Sequence, residues 1–336
     1  MSDCMTLQRQ AVLRRTFRPE HRRFLAWILM LLPVCLPAAP AYSQSGDSKT
    51  QIVMLGTGTP GPDPDRSGPA TAVVVNGTPY LVDFGPGVVR RAKSAVIERG
   101  IKALEPINFK IVFTTHLHSD HTAGYPDLIL TPWVIGRRVA LEVYGPTGIK
   151  WMTQHVLAAY EADIKARTRP DGNQHEFPQG AWVNAHEIKP GVVYKDTNVT
   201  VTAFPTSHAL ESYGYRFDTP DRSIVISGDT APTQATIDAC SGCDVLIHEV
   251  NTLKAVAGRP LTFQAFAARY HTSTQQLAEL ASNAKPGLLV LYHASIVVRP
   301  GVQPNFPANS SIDELLDEMR SRYTGKVVVA RDLDVY

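Results

Sequence analysis

Cysteine is scarce in this 336-residue chain, and its placement excludes a metal site built on thiolates. Of four cysteines, Cys4 and Cys35 fall within the first 41 residues, leaving Cys240-Ser-Gly-Cys243 as a lone pair. A zinc ribbon needs a second pair. No thioredoxin-like context surrounds Cys240 and Cys243, so they read as a structural loop, with a local disulfide expected in an oxidising compartment. Internal repeats and low-complexity tracts are also missing, which excludes solenoids and linker arrays. No apolar run reaches the roughly 20 residues a bilayer-spanning helix needs. A strong charge of either sign is lacking as well. Residues 1–41 carry six arginines against Asp3 and Glu20; without them, 33 basic and 31 acidic residues become 27 and 29. A body with net charge −2 lacks the overall basic character of a nucleic-acid binder. The 44% apolar and 19% charged composition is that of an ordinary globule.

The N-terminal segment has its own logic. Six arginines (Arg9, Arg14, Arg15, Arg18, Arg22, Arg23) precede the apolar run Phe24–Leu36 and then Pro37-Ala-Ala-Pro-Ala41. That order is the charged, apolar and small-residue pattern of a signal peptide over 1–41. An uncleaved anchor is the alternative, but thirteen apolar residues are short for a span. Arg22-Arg23-Phe-Leu loosely matches a twin-arginine signal. The expectation is a periplasmic or secreted protein with no stable membrane insertion after cleavage.

The remainder, 42–336, shows no composition break and reads as one domain. Gln51–Leu55 reads as a buried strand ended by Gly56-Thr-Gly58, whose glycines let backbone pass close to a neighbour. Thr71–Val75 and Tyr80–Asp83 flank Asn76-Gly77, a strong hairpin signal. A helix follows over Val88–Arg99 and a strand over Lys110–Phe113. Val139–Val143 reads as a strand and Trp151–Arg167 as one amphipathic helix. After a polar loop over Arg169–Gly180, strands recur at Val192–Tyr194, Val199–Phe204, Tyr213–Phe217, Ser223–Ser227 and Val245–Ile247. The chain ends with helix Ser273–Asn283, strand Leu288–Tyr292, helix Ser311–Arg322 and strand Lys326–Ala330. Strand-rich halves with helices between them predict an α/β fold of two packed sheets with helices outside.

Chemistry concentrates directly after the strand ending at Phe113, in His116-Leu-His118-Ser-Asp120-His121. Three imidazoles and a carboxylate in six residues do little for stability, because such groups are rarely buried without partners. They are the donors zinc prefers. The motif resembles the metallo-β-lactamase superfamily signature, and the resemblance runs from Ile52 to Tyr336. It implies an αββα sandwich of two mixed sheets and two zinc ions, with manganese or iron as alternatives. It also implies a ligand set: His116, His118 and His208 for one ion, Asp120, His121 and His293 for the other, and Asp229 bridging. Asp83, in Asp83-Phe-Gly-Pro-Gly87, is similar to the family's aspartate that orients a liganding histidine; a turn-capping role fits it equally well.

His248-Glu249 and His271-Thr-Ser-Thr274 resemble elements of the tRNase Z (zinc phosphodiesterase) branch. There a glutamate orients a histidine that protonates the leaving oxygen, which maps onto Glu249 and His271, with Asp120 handling the attacking water. The alternative for His271 is a structural neighbour of a helix cap. Two features depart from that branch. His208 and Asp229 are 21 residues apart, too close for the tRNA-gripping arm, and Ser295 is followed by Ile296 and Val297 where an arginine would stand. The chain therefore looks closer to exported relatives such as metallo-β-lactamase-type arylsulfatases. The expected activity is hydrolysis of small phosphodiesters or aryl sulfates by a hydroxide held between two zincs. A ribonuclease Z-like endonuclease is the alternative, and a β-lactam or lactone hydrolase the next. The expected partner is a small-molecule ester and not nucleic acid, with homodimer formation open and 151–187 acting as an aromatic lid over the metals.

Overall fold

The computed structural model describes residues 50–297 and 310–336. The leader read at 1–41, with Cys4 and Cys35, lies outside them. The first sheet runs in the order β1 (Thr50–Gly56), β2 (Ala70–Val75), β3 (Thr78–Val82), β4 (Ile111–Phe113), β5 (Leu141–Gly145) and β6 (Val183–Glu187). Its first three strands are antiparallel and the rest parallel. The β2–β3 turn is the Asn76-Gly77 expected from sequence, both residues at positive φ (49° and 78°) as a type I′ hairpin requires.

The second sheet comprises β7 (Gly191–Lys195), β8 (Thr200–Pro205), β9 (Tyr213–Asp218), β10 (Ser223–Ile226), β11 (Val245–Glu249), β12 (Leu288–Tyr292) and, beyond the small β13 (Ile296–Val297) and β14 (Ser310–Ser311) pair, β15 (Val327–Val329). Strands β7–β10 are antiparallel, and β10, β11, β12 and β15 run parallel.

Alternation along the strands builds the layers. In β1, Ile52 and Met54 face the core between the sheets while Val53 and Leu55 face the outer helices. The inter-sheet core joins Val73, Tyr80 and Phe113 of the first sheet to Tyr215, Ile224 and Ile247 of the second. Helices α1 (Val88–Arg99), α2 (Ser119–Thr122), α3 (Tyr125–Val134), α4 (Ile149–Ala159) and α5 (Glu161–Thr168) follow strands of the first sheet. Of these, α1 and α3 bury their apolar faces in its outer core, and Met152, Val156 and Ile164 of α4 and α5 pack against it. Helices α6 (Gln234–Cys240), α7 (Leu253–Ala257), α8 (Leu261–Tyr270), α9 (Thr274–Ala284) and α10 (Ile312–Arg320) belong to the second half, and α9 and α10 cover its sheet. The result is the αββα sandwich expected from the sequence. No helix among the described residues is long and apolar enough to cross a membrane. Cys240 and Cys243 form a disulfide at the end of α6.

One expectation needs correction. The helix read over Trp151–Arg167 is broken at Tyr160 (φ −104°, ψ 13°) into α4 and α5. The segment 151–187, expected as a lid, ends in the sheet itself: Val183–Glu187 is the edge strand of the first sheet, in register with Leu141–Gly145. Tyr144 and Gly145 pair with His186 and Glu187, so this segment is framework.

Candidate metal centre

Every residue of the cluster lies at or just beyond a strand's carboxyl end, where open α/β sheets leave a crevice. His116 follows β4, and His118 leads into the one-turn helix α2 that carries Asp120 and His121. His208 follows β8, Asp229 follows β10, and His293 follows β12 at φ 50°. The two sheets bring all seven side chains together, although the positions extend from 116 to 293.

Two sets of donors are visible. His116 Nε2 and His208 Nε2 lie 3.0 and 3.1 Å from His118 Nδ1. Three nitrogens around a tetrahedral ion at zinc's roughly 2.0–2.1 Å would be separated by about 3.3 Å, so the spacing fits. The second nitrogens of two of them are engaged: His208 Nδ1 donates to the Tyr270 carbonyl at 3.0 Å, and His116 Nδ1 lies 3.0 Å from Thr115 Oγ1. Burial holds His116 well below the usual imidazole range, lowers His118, and lowers His208 to about 4. Three neutral imidazoles thus aim lone pairs at one point, a set suited to a cation.

The second set is charged. His293 Nε2 lies 3.1 Å from Asp120 Oδ2 and 3.5 Å from Asp229 Oδ2, while His121 Nε2 lies 3.2 Å from Asp229 Oδ1. Burial alone would lower His121, but Asp229 and Asp83 outweigh it and lift the imidazole well above its ordinary value. Burial pushes Asp229 up, and the facing His293 and His121 overcome it and hold the carboxylate well below the usual range. His121 Nε2 and Asp229 Oδ1 are both buried with no hydrogen-bond partner. Buried polar atoms are rarely left so. A cation between these donors would satisfy both, and the residues present therefore fit a metal.

Asp83 is the buttress that sequence left open between two roles. Its carboxylate accepts the Thr115 amide at 2.7 Å, the Thr115 hydroxyl at 2.9 Å, and His121 Nδ1 at 2.8 Å. Because a carboxylate only accepts, Nδ1 carries the proton and Nε2 is left for the cluster. Glu249, fully buried at the end of β11, holds His271 Nδ1 at 2.8 and 3.0 Å and accepts the Thr230 amide at 2.8 Å. Burial would lower His271, but the Glu249 carboxylate reverses this and raises it to about 9.

Sequence reasoning missed a second layer of support. Buried Arg66 donates to the carbonyls of Ala294 and Thr57, and the Thr57 carbonyl accepts the His293 amide at 3.2 Å. Asp332 ties the same loop down by accepting the Thr57 and Ser67 amides at 3.0 and 2.7 Å. Gly56 and Gly58 admit this arrangement: a Cβ on Gly58 would meet the Ser67 carbonyl at 2.7 Å. The glycine pair was the available signal, but its partner segment at 66–68 was not legible.

A cavity of about 450 Å³ opens onto the cluster. His118, Asp120, Asp229, His271 and His293 line it, together with Phe263 and Phe266 of α8; α4 and α5 contribute nothing to its wall. The family described as the β-lactamase superfamily domain matches residues 78–294. The chain belongs to the metallo-β-lactamase superfamily. Among curated relatives, the ribonuclease Z of Mycobacterium sp. (strain KMS) is 35% identical over 267 residues, 78% of this chain and 90% of that protein. Among solved structures, the metallo-β-lactamase fold protein YhfI from Bacillus subtilis superposes with a TM-score of 0.61 at 18% identity, over 86% of this chain and all of that one (100%). The short form of human tRNase Z gives 0.59 at 22%, over 85% and 98%. As a superfamily member the chain is a hydrolase with His/Asp metal-binding groups.

Proposed function

We propose that this metallo-β-lactamase superfamily member is a metal-dependent phosphodiesterase of the ribonuclease Z type, loaded with two zinc ions. One observation carries the reading: His271, held at 2.8 Å by the buried Glu249, stands on the wall of the cavity that opens onto the metal-binding cluster. The ribonuclease Z relatives favour this chemistry over the aryl sulfate hydrolysis that the sequence placed beside it. Hydrolysis of a β-lactam or lactone would give the pair no task.

His116, His118 and His208 would hold one ion, Asp120, His121 and His293 the other, with Asp229 facing both. Such cations supply Lewis acidity, ionising water near neutral pH and neutralising charge on the non-bridging phosphate oxygens. Asp120, on the cavity wall, orients the attacking water and accepts its proton. Glu249 fixes Nδ1–H of His271, which leaves Nε2 to donate a proton to the departing oxygen. One proton is taken and one returned. The Glu249 carboxylate, which raises His271 to about 9, keeps that donor charged at neutral pH.

The length of the substrate is a separate matter. The segment from His208 to Asp229 is a compact β9–β10 hairpin turned at residues 219–222, with no room for an arm. That favours short diesters over a folded tRNA. The test is a panel on zinc-loaded protein: bis-p-nitrophenyl phosphate, a 3′-extended pre-tRNA, p-nitrophenyl sulfate, nitrocefin and a lactone. Turnover of bis-p-nitrophenyl phosphate above all others is expected. Turnover of the sulfate or nitrocefin with none of either phosphodiester would overturn the proposal.

A further inference from the structure

Helix α8 directs Phe263 and Phe266 at the cavity, not into the core. Phe263, Phe266 and Tyr270 recur at helical spacing on one face, and none belongs to any of the three core clusters. By contrast Phe84, Phe109, Phe113 and Phe217 are completely buried. Phe263 and Phe266 are half-buried and line the same cavity as Asp120, Asp229 and His271. Their ring centroids are 6.5 Å apart, and the Phe266 ring lies 5.5 Å from His271 and 6.3 Å from His208. The Arg259 guanidinium sits 5.2 Å over the Phe263 ring, on the same wall. Aromatic rings kept out of a core and lining a cavity beside a polar centre are the lining that small-molecule sites use.

We propose that Phe263 and Phe266 form a stacking subsite for a flat ring carried by the substrate's ester group, with Arg259 adding cationic character suited to an anion. The inference rests on the phosphodiesterase reading and names its substrate class: a ring-bearing phosphate ester, whose ring is a nucleobase or a simple aryl group. Base–aromatic stacking is tolerant of sequence because every base has a π face. A ring seated on Phe266 would leave its attached phosphate within reach of His271 and the metal-binding donors.

Calorimetry of the zinc-loaded protein with thymidine 5′-monophosphate, phenyl phosphate and methyl phosphate tests the subsite without relying on turnover. Ring-bearing phosphates should bind at least about fivefold tighter than methyl phosphate, the lower end of stacking effects. In the Phe263→Ala/Phe266→Ala protein that preference should fall at least about fivefold, while methyl phosphate keeps its affinity within about twofold. Should the double alanine variant fail to fold, Phe263→Leu/Phe266→Leu keeps the helix's bulk without its π faces. Loss confined to thymidine monophosphate assigns a nucleobase, loss confined to phenyl phosphate assigns a simple aryl ring, and equal loss for both assigns a subsite that accepts either. An undiminished preference, no ring preference in the parent protein, or an equal loss for methyl phosphate overturns the subsite. Failure of the parent protein to hydrolyse any diester would instead remove the phosphodiesterase reading.

Discussion

Asp83 grips His121 Nδ1 and the Thr115 amide from behind the cluster, in a left-handed conformation (φ 62°) held by those bonds. Asp83→Asn replaces an obligate acceptor with a group that can present an NH₂ to Nδ1–H. Zinc affinity should fall about 10–100-fold, read by competition with a chromophoric chelator; an unchanged affinity would reduce Asp83 to a turn residue. At His271 the test is the pH profile. Its imidazolium is raised to about 9, so a proton donor is present below that value and lost as pH rises through it. Glu249→Gln removes the carboxylate responsible for the rise, so the alkaline limb of kcat should move to lower pH. His271→Ala should cost roughly 10²–10⁴-fold with an alkyl leaving group and less with an aryl one, which needs the proton least. Equal losses for both would remove the general-acid role. Glu249 and His271 were legible in sequence because their motifs resemble elements of the tRNase Z branch. Arg66 and Asp332 were not, since their importance arises only where residues 57, 66, 294 and 332 meet.

At the scale of elements, local signals worked where the chain supplies its own punctuation. Ser273 with Gln276 and Ser311 with Glu314 form complete capping boxes at α9 and α10. Ser311→Ala should destabilise the protein by about 0.5–2 kcal/mol, measured by urea unfolding. Gly100, at φ 70°, ends α1 at the residue expected. The long helix over 151–167 was misjudged because apolar periodicity continues through Tyr160 while the backbone does not. The expected lid meets a tertiary fact: Met152, Val156 and Ile164 pack on the first sheet's outer core, and Trp151 is 65% exposed and absent from the cavity wall. Trp151→Ala should therefore leave kcat/KM of the ester substrate within about twofold, as surface changes away from a site do. A larger fall would restore the lid. The actual wall, α8, carries no period that distinguishes a cavity-facing aromatic from a core one.

The whole molecule is stitched across its two sheets at the centre. His116, His118, Asp120 and His121 come from the loop after β4 in the first sheet; His208, Asp229 and His293 come from the second. Cations held by both groups would tie the layers together. Zinc in thousandfold excess over its dissociation constant would stabilise the folded state by about 4 kcal/mol. Chelation should accordingly lower Tm, and added zinc should restore it; a Tm indifferent to both would argue against the shared site.

The sequence by itself determined the fold class, the hairpin and most strand positions, which depend on periodicity and turn chemistry, local properties of neighbouring residues. The seven cluster residues were named by the resemblance their motifs carry. Only the tertiary structure decided what Asp83 holds, that Arg66 and Asp332 brace the His293 loop, and that α8 instead of α4 walls the cavity. Each of these depends on which segments far apart in sequence share a volume, and such contacts leave no periodic trace in a single chain.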